Sequence, residues 1–256
     1  MRTYFLYSTL ILIVFGSCHK DHTELKQTIQ DKKEKVNTLN KELNTHIDKA
    51  VVLDSLISIR SISYLNKESL LNSKSLDSFV NLEHLSDDFV FDLKYATADN
   101  FLKQAVYDCT ACYTRLRTAL VLLKINHELK DKGYRIKFFD CYRPLDVQKK
   151  MWEIYPNPSY IQNPAKGSIH NKGGAVDITL VDSLGAELDM GTPFDHFGKE
   201  AHRDYTELSE EVIANRKLLT DIMIKHGFWT IRTEWWHFNH LGGSQNKVEN
   251  FTWDCD

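Results

Sequence analysis

Of the eleven histidines in this chain, His170 and His237 are set apart by their neighbours. His170 stands in Ser168-Ile169-His170-Asn171-Lys172-Gly173-Gly174-Ala175-Val176-Asp177, a histidine followed by a two-glycine turn and a strand-like run that carries an aspartate. Val176, Ile178 and Leu180 share one face of that run, so Asp177 belongs to the other face, with Ala175 and Thr179. A tight turn can bring the imidazole of His170 back beside the Asp177 carboxylate, and the two together supply two ligands of a divalent metal. The third donor is expected within Glu234-Trp235-Trp236-His237. A catalytic zinc commonly takes three protein ligands and keeps one position open for water. Two imidazole nitrogens and one carboxylate oxygen suit zinc better than magnesium or calcium, so the expected cofactor is one Zn2+ per chain. Arg143, between a strand-like run and Pro144 at a helix start, is placed to aim a guanidinium into the same cleft.

Positioning these residues takes a mixed set of elements. Phe89–Leu93 reads as a short strand. Arg115–Lys130 has helical periodicity, with Gly133 as its stop, and Tyr134–Asp140 alternates like a strand. Pro144 opens a second helix that runs to about Tyr155, and residues 156–169, with three prolines, form a loop. Gly174–Val181 is the strand that bears Asp177. Ser209 caps a helix ended by Gly227, and two closing strands follow, near Phe228–Arg232 and Trp235–His240. In a regular strand Glu234 and His237 would point to opposite faces, so a site that uses both would need a bend or bulge at Thr233–Trp235. Helices and strands interleave without a glycine-rich phosphate loop. The expected class is α+β, one domain over residues 86–256 with a central, mainly antiparallel sheet flanked by helices.

The 256 residues are 42% hydrophobic and 26% charged, which excludes global disorder and fibrous repeats. A net charge of −3 and a pI near 6.4 argue against a nucleic-acid partner. Residues 1–17 read as a signal peptide, because the apolar run Tyr4–Phe15 is too short to span a bilayer. Gly16-Ser17-Cys18 resembles the processing box of bacterial lipoproteins, with Cys18 the lipidated new N-terminus. That implies a lipid-anchored protein of the bacterial cell envelope, facing the periplasm. Cys109, Cys112, Cys141 and Cys255 then remain in an oxidising compartment, where disulfides are the leading reading. The pairing is left open, with free thiols or half a zinc site at Cys109-x-x-Cys112 as alternatives. Residues 18–85 are expected to form a stalk and linker. Leu25, Ile29, Val36, Leu39, Leu43, Ala50, Leu53 and Ile57 follow a heptad-like spacing over residues 22–60, a segment through which copies could self-associate. Residues 61–85 read as linker.

Ser-x-His-x-x-Gly-x-Ala-x-Asp followed some sixty residues later by Glu-Trp-Trp-His resembles the zinc D-Ala-D-Ala dipeptidases (VanX-type) of the D-alanyl-D-alanine metallopeptidase family. Residues 92–101 (Asp-Leu-Lys-Tyr-Ala-Thr-Ala-Asp-Asn-Phe), 140–144 (Asp-Cys-Tyr-Arg-Pro) and 190–195 (Met-Gly-Thr-Pro-Phe-Asp) agree with it in order. The resemblance covers residues 85–240 and implies His170, Asp177 and His237 as the zinc ligands. It implies Glu234 as the base that takes a proton from a metal-activated water and returns it to the leaving amine. Arg143 is implied to stabilise the oxyanion, and Asp195, Tyr95 and Ser168 to hold the substrate, Asp195 and Tyr95 at its free amino group. Cys141 departs from the small residue usual before Tyr-Arg-Pro. The implied activity is hydrolysis of the D-alanyl-D-alanine dipeptide. A peptidoglycan D,D-carboxypeptidase or endopeptidase, or a zinc-containing peptidoglycan-binding module without catalysis, is the alternative.

Overall fold

The structure is a computed structural model that describes residues 26–39, 41–42 and 75–255. The expected signal peptide, Cys18, residues 22–25, 40 and 43–60 of the expected heptad segment, and residues 61–74 lie outside the described residues. The chain divides into two units, residues 1–50 and 51–256. In the first, residues 26–39 and 41–42 are helical, and Ile29, Val36 and Leu39 of the heptad seam are exposed.

In the second unit the strands are β1 (Phe79–Asn81), β2 (Val90–Phe91), β3 (Tyr113–Arg115), β4 (Tyr134–Asp140), β5 (Ala175–Asp182), β6 (Phe228–Thr230) and β7 (His237–His240). The α-helices are α1 (Leu116–Lys130), α2 (Leu145–Ile154), α3 (Glu210–Lys225) and the single turn α4 (Leu241–Ser244). The main sheet has the order β2-β4-β5-β7-β6, in which only β2 and β4 run parallel. This is an α+β fold, with the mainly antiparallel sheet expected from the sequence.

The core lies where α1 and α3 cover the sheet. Ile136, Phe138, Val176, Ile178, Leu180 and Phe238 meet Leu120, Leu123, Leu219 and Met223, and all are buried. Burying such aliphatic and aromatic side chains is the main favourable term in folding. α1 stops where Gly133 takes φ +84°, and α3 starts where the Ser209 hydroxyl accepts from the Val212 amide at 3.2 Å. A second, smaller cluster, including Tyr95, Tyr107, Met151 and Ile161, packs apart from the main core.

The structure corrects the linker boundary. Residues 75–85 belong to the fold: β1 pairs with β3, and Val80, Leu82 and Leu85 are buried in the main core. Two three-residue strands, one in a Ser/Asn/Leu-rich stretch, are too short to show an alternation. The closing strands are also shorter, and the connection between them longer, than expected. β6 ends at Thr230 and β7 begins at His237, so Glu234, Trp235 and Trp236 lie outside any strand. The cysteines pair as Cys109–Cys255 and Cys112–Cys141, which removes the zinc and free-thiol alternatives for them.

Candidate active site

Asp177 enters the site from the middle of the sheet. It pairs with Asp140 of β4 on one side and with His237 of β7 on the other. The β4–β5 ladder shifts register between Phe138 and Asp140, a bulge of the kind that re-aims side chains beside active sites. His170 is brought in by the turn before β5. It opens a short 3-10 turn, His170–Lys172, closed by Gly173 at φ +71°. Gly174 packs against α4 so closely that a Cβ there would lie 2.5 Å from the Gly243 carbonyl carbon. The turn therefore needs both glycines, one for its left-handed backbone and one for close approach. His237 is the first residue of β7, and the turn and bends at residues 232–236 release Glu234 from strand alternation.

The three expected metal ligands converge. One ligand atom from each of His170, Asp177 and His237 lies within 4.8 Å of the others, and all three residues are buried. His170 Nε2 is 3.2 Å from His237 Nδ1 and 3.4 Å from Asp177 Oδ2, and His237 Nδ1 is 2.9 Å from Asp177 Oδ1. Ligands about 2.0–2.1 Å from a tetrahedral centre stand roughly 3.4 Å apart, so the trio has the spread of a small four-coordinate ion's ligand set.

The outer nitrogens support the same reading. His170 Nδ1 donates to the Cys141 carbonyl at 2.7 Å, and His237 Nε2 donates to Asn239 Oδ1 at 2.9 Å. Each neutral imidazole thus spends its hydrogen on an outer partner and turns a bare nitrogen inward, as metal-bound histidines do. Two lone pairs and a carboxylate facing one another call for a cation. Without one, burial would raise the Asp177 pKa, but His170 and His237 hold it well below the usual carboxylate range. Burial likewise opposes the charged form of His237, yet its bond to Asp177 raises its pKa.

Glu234 stands just outside the trio, its Oε2 3.9 Å from His237 Nδ1. Burial raises its pKa, against the opposite pull of His237. A carboxylate beside a metal site with a raised pKa is suited to exchanging protons near neutral pH. Arg143 is buried and directed by Asp140, whose Oδ2 accepts from Nη2 at 2.6 Å and from Nε at 3.1 Å; Nη1 donates to Gln148 Oε1 at 2.9 Å. Burial disfavours the Arg143 charge, but Asp140, together with Tyr107, Tyr95 and Asp177, outweighs this and raises its pKa. Tyr107 in turn donates to Asp140 Oδ1 at 2.8 Å.

Asp195 lies opposite, held at φ +60°, a left-handed backbone that costs a non-glycine residue about 1–3 kcal/mol. Its Oδ1 accepts from Tyr95 Oη at 3.1 Å, while its Oδ2 is buried with no hydrogen-bond partner. Burial raises the pKa of Asp195 well above the usual carboxylate value, and Asp177 adds to the rise. A buried carboxylate oxygen left unpaired beside a cleft is a vacant acceptor.

All eight expected residues, Tyr95, Arg143, Ser168, His170, Asp177, Asp195, Glu234 and His237, line one cleft of about 600 Å³. The Ser168 hydroxyl accepts from the His170 amide at 3.2 Å, so part of its work is to shape the turn. The sequence reading missed Asn239, Asp140 and Tyr107. Asn239 had a signal, since it lies two residues from His237 on the same strand face. Asp140 sits inside the quoted Asp-Cys-Tyr-Arg-Pro stretch, whereas nothing in sequence ties Tyr107 to it. Cys141 now has its reason. Its disulfide to Cys112 braces the segment that supplies both the acceptor for His170 and the guanidinium of Arg143.

Comparison with known proteins gives the family of the domain that carries this site. Residues 75–252 match the family described as D-ala-D-ala dipeptidase. The D-alanyl-D-alanine dipeptidase of Escherichia coli (strain K12) is 35% identical over 159 residues, covering 62% of this chain and 82% of that protein. Those of Enterococcus faecalis (strain ATCC 700802 / V583) and Streptomyces coelicolor (strain ATCC BAA-471 / A3(2) / M145) are each 28% identical. They cover 63% and 62% of this chain and 91% and 90% of their own lengths. With the family matched over most of its length and a metal-ligand trio in its cleft, the chain belongs to the D-Ala-D-Ala dipeptidase family of metallopeptidases.

Proposed function

We propose that this protein hydrolyses D-alanyl-D-alanine to two molecules of D-alanine, with zinc held by His170, Asp177 and His237 and with Glu234 as the base. The observation that carries this reading is the pair of carboxylates facing the trio in one cleft. Glu234 lies beside the ligands, and Asp195 has a buried oxygen without a partner. A substrate with a free ammonium fills that vacancy, and a dipeptide is the shortest substrate that has one next to its scissile bond. The N-acylated end of a longer stem peptide has no charge to offer Asp195, which disfavours the carboxypeptidase and endopeptidase readings. A binding module without catalysis has no use for Glu234.

Zinc, when bound, is a Lewis acid that polarises the scissile carbonyl and acidifies the attacking water. Glu234 accepts the water's proton and carries it to the leaving amine. Arg143, fixed by Asp140 and Gln148, offers a permanent cation to the negative charge that grows on the carbonyl oxygen. Tyr95 orients Asp195, and Asp195 takes the substrate ammonium. The zinc-loaded protein should release D-alanine from D-Ala-D-Ala and leave L-Ala-L-Ala and a stem pentapeptide intact. Faster release from the pentapeptide would overturn the dipeptidase assignment, and no release from any of the three would leave the binding module.

The place of action is proposed on the N-terminal pattern. Lipidation of Cys18 would anchor the protein in the bacterial cell envelope, facing the periplasm, with residues 22–60 as a stalk through which copies self-associate. Two disulfides in the described domain suit an oxidising compartment. Replacement of Cys18 by Ser should move the protein out of the membrane fraction, and unchanged fractionation would remove the anchor.

A further inference from the structure

Two largely buried arginines outside the metal site make no ion pair among the described residues. Arg203 follows a short 3-10 turn (Lys199–Ala201), and its guanidinium meets only neutral acceptors. Nε donates to Ile231 O at 3.1 Å, Nη2 to Trp235 O at 2.7 Å and to His237 O at 2.9 Å, and Nη1 to Thr220 Oγ1 at 2.8 Å. Its amide adds a bond to Arg232 O at 2.8 Å. The three guanidinium-bound carbonyls span the irregular segment between β6 and β7, and Glu234 lies inside that span.

Arg216, on α3, does the same for another loop. Nε donates to Met190 O at 2.7 Å, Nη2 to Glu200 O at 2.9 Å and Nη1 to His202 O at 3.3 Å. These carbonyls lie at the two ends of the loop on which Asp195 holds its left-handed backbone. A buried charge without a counter-ion is costly. Here each one brings a planar fork with several donors in fixed directions, which no lysine or neutral side chain reproduces.

We propose that Arg203 and Arg216 are positioning residues with separable duties: Arg203 fixes the base Glu234, and Arg216 fixes the ammonium acceptor Asp195. Each fork supplies, for an unpaired loop, the hydrogen bonds that a neighbouring strand supplies inside a sheet. Both rest on α3, since Arg216 is one of its residues and Thr220, one turn on, takes Nη1 of Arg203. Trp235 Nε1 donates to Thr192 Oγ1 at 2.8 Å and links the two loops directly. Neither arginine touches the reacting atoms. This inference rests on the roles proposed above for Glu234 and Asp195.

The test uses the zinc-loaded full chain and the variants Arg203→Lys, Arg216→Lys and Thr220→Val, the last removing only the acceptor for Nη1. Zinc content, kcat and KM are measured for D-Ala-D-Ala, with rates expressed per zinc-bound protein. Arg203→Lys should lower kcat on the order of 10²-fold, the cost of a small misplacement of a reacting group, with KM and zinc content unchanged. Thr220→Val should lower kcat in the same direction by a smaller factor. Arg216→Lys should instead raise KM by roughly tenfold or more and leave kcat near its original value. Variants that lose only folded fraction, with normal kcat and KM in what remains, would overturn the proposal, and so would the reverse pattern of effects. Should Arg203→Lys fail to fold, an unchanged kcat in Thr220→Val would have the same force. An active Glu234→Gln enzyme would instead defeat the assignment of the base, whatever the arginine variants do.

Discussion

His170, Asp177 and His237 hang from main-chain scaffolding: a glycine-closed turn, the central strand β5 and the first residue of β7, joined by ladder hydrogen bonds. Glu234, Arg143 and Asp195, across the same cleft, come from irregular segments. These are held by side chains: Arg143 by Asp140 and Gln148, and Asp195 by Tyr95. The difference teaches how the work is divided. A ladder holds the ligand-bearing residues within about half an ångström of their working positions, as a metal site requires. Loops tied by a few side-chain bonds can be reshaped for another substrate without disturbing the ligand trio.

The comparison breaks most readily at its rigid end. His170→Ala or His237→Ala should abolish both stoichiometric zinc and hydrolysis, measured by metal analysis and D-alanine release. Full zinc retention in both single variants would mean that the trio is not the metal site. At the substrate end, Asp195→Ala should keep zinc yet reduce kcat/KM for free D-Ala-D-Ala by roughly 2 kcal/mol or more, about thirtyfold. The loss should shrink on the N-acetylated dipeptide, which has no ammonium to place. An equal loss on both substrates would deny Asp195 its partner. The mildest effect is expected behind the trio. Asn239→Ala frees His237 Nε2 and should weaken zinc affinity about tenfold, the low end of the range for outer partners of metal ligands. Competition against a chelator would measure it, and unchanged affinity would show that β7 alone orients the ring.

The two regions also differed in how far the sequence disclosed them. The metal end was legible because its signals are local: alternation put Asp177 opposite the core face, and the two glycines announced the turn that returns His170. The bend before His237 followed from a mismatch of strand parity with the roles of Glu234 and His237. The substrate end was reached only through resemblance to a family, since no periodicity marks Asp195 or Tyr95. What escaped depends on long-range contact. Tyr107 meets Asp140 from a loop 33 residues away, β1 and β3 are too short to carry a pattern, and four cysteines allow three pairings. The two arginines of the loops lacked any local signal, because their partners are main-chain carbonyls.

The central claim is that metal binding and proton transfer reside in different groups of one cleft, and Glu234→Gln separates them. The amide keeps the shape of the side chain and cannot take up a proton at neutral pH. Zinc content and kcat/KM on D-Ala-D-Ala, measured on the same preparation, decide the matter. The account predicts a full zinc complement with activity reduced by roughly 10²–10⁴-fold, the span typical of lost acid–base catalysis. A variant that binds zinc and turns over at the original rate would contradict it.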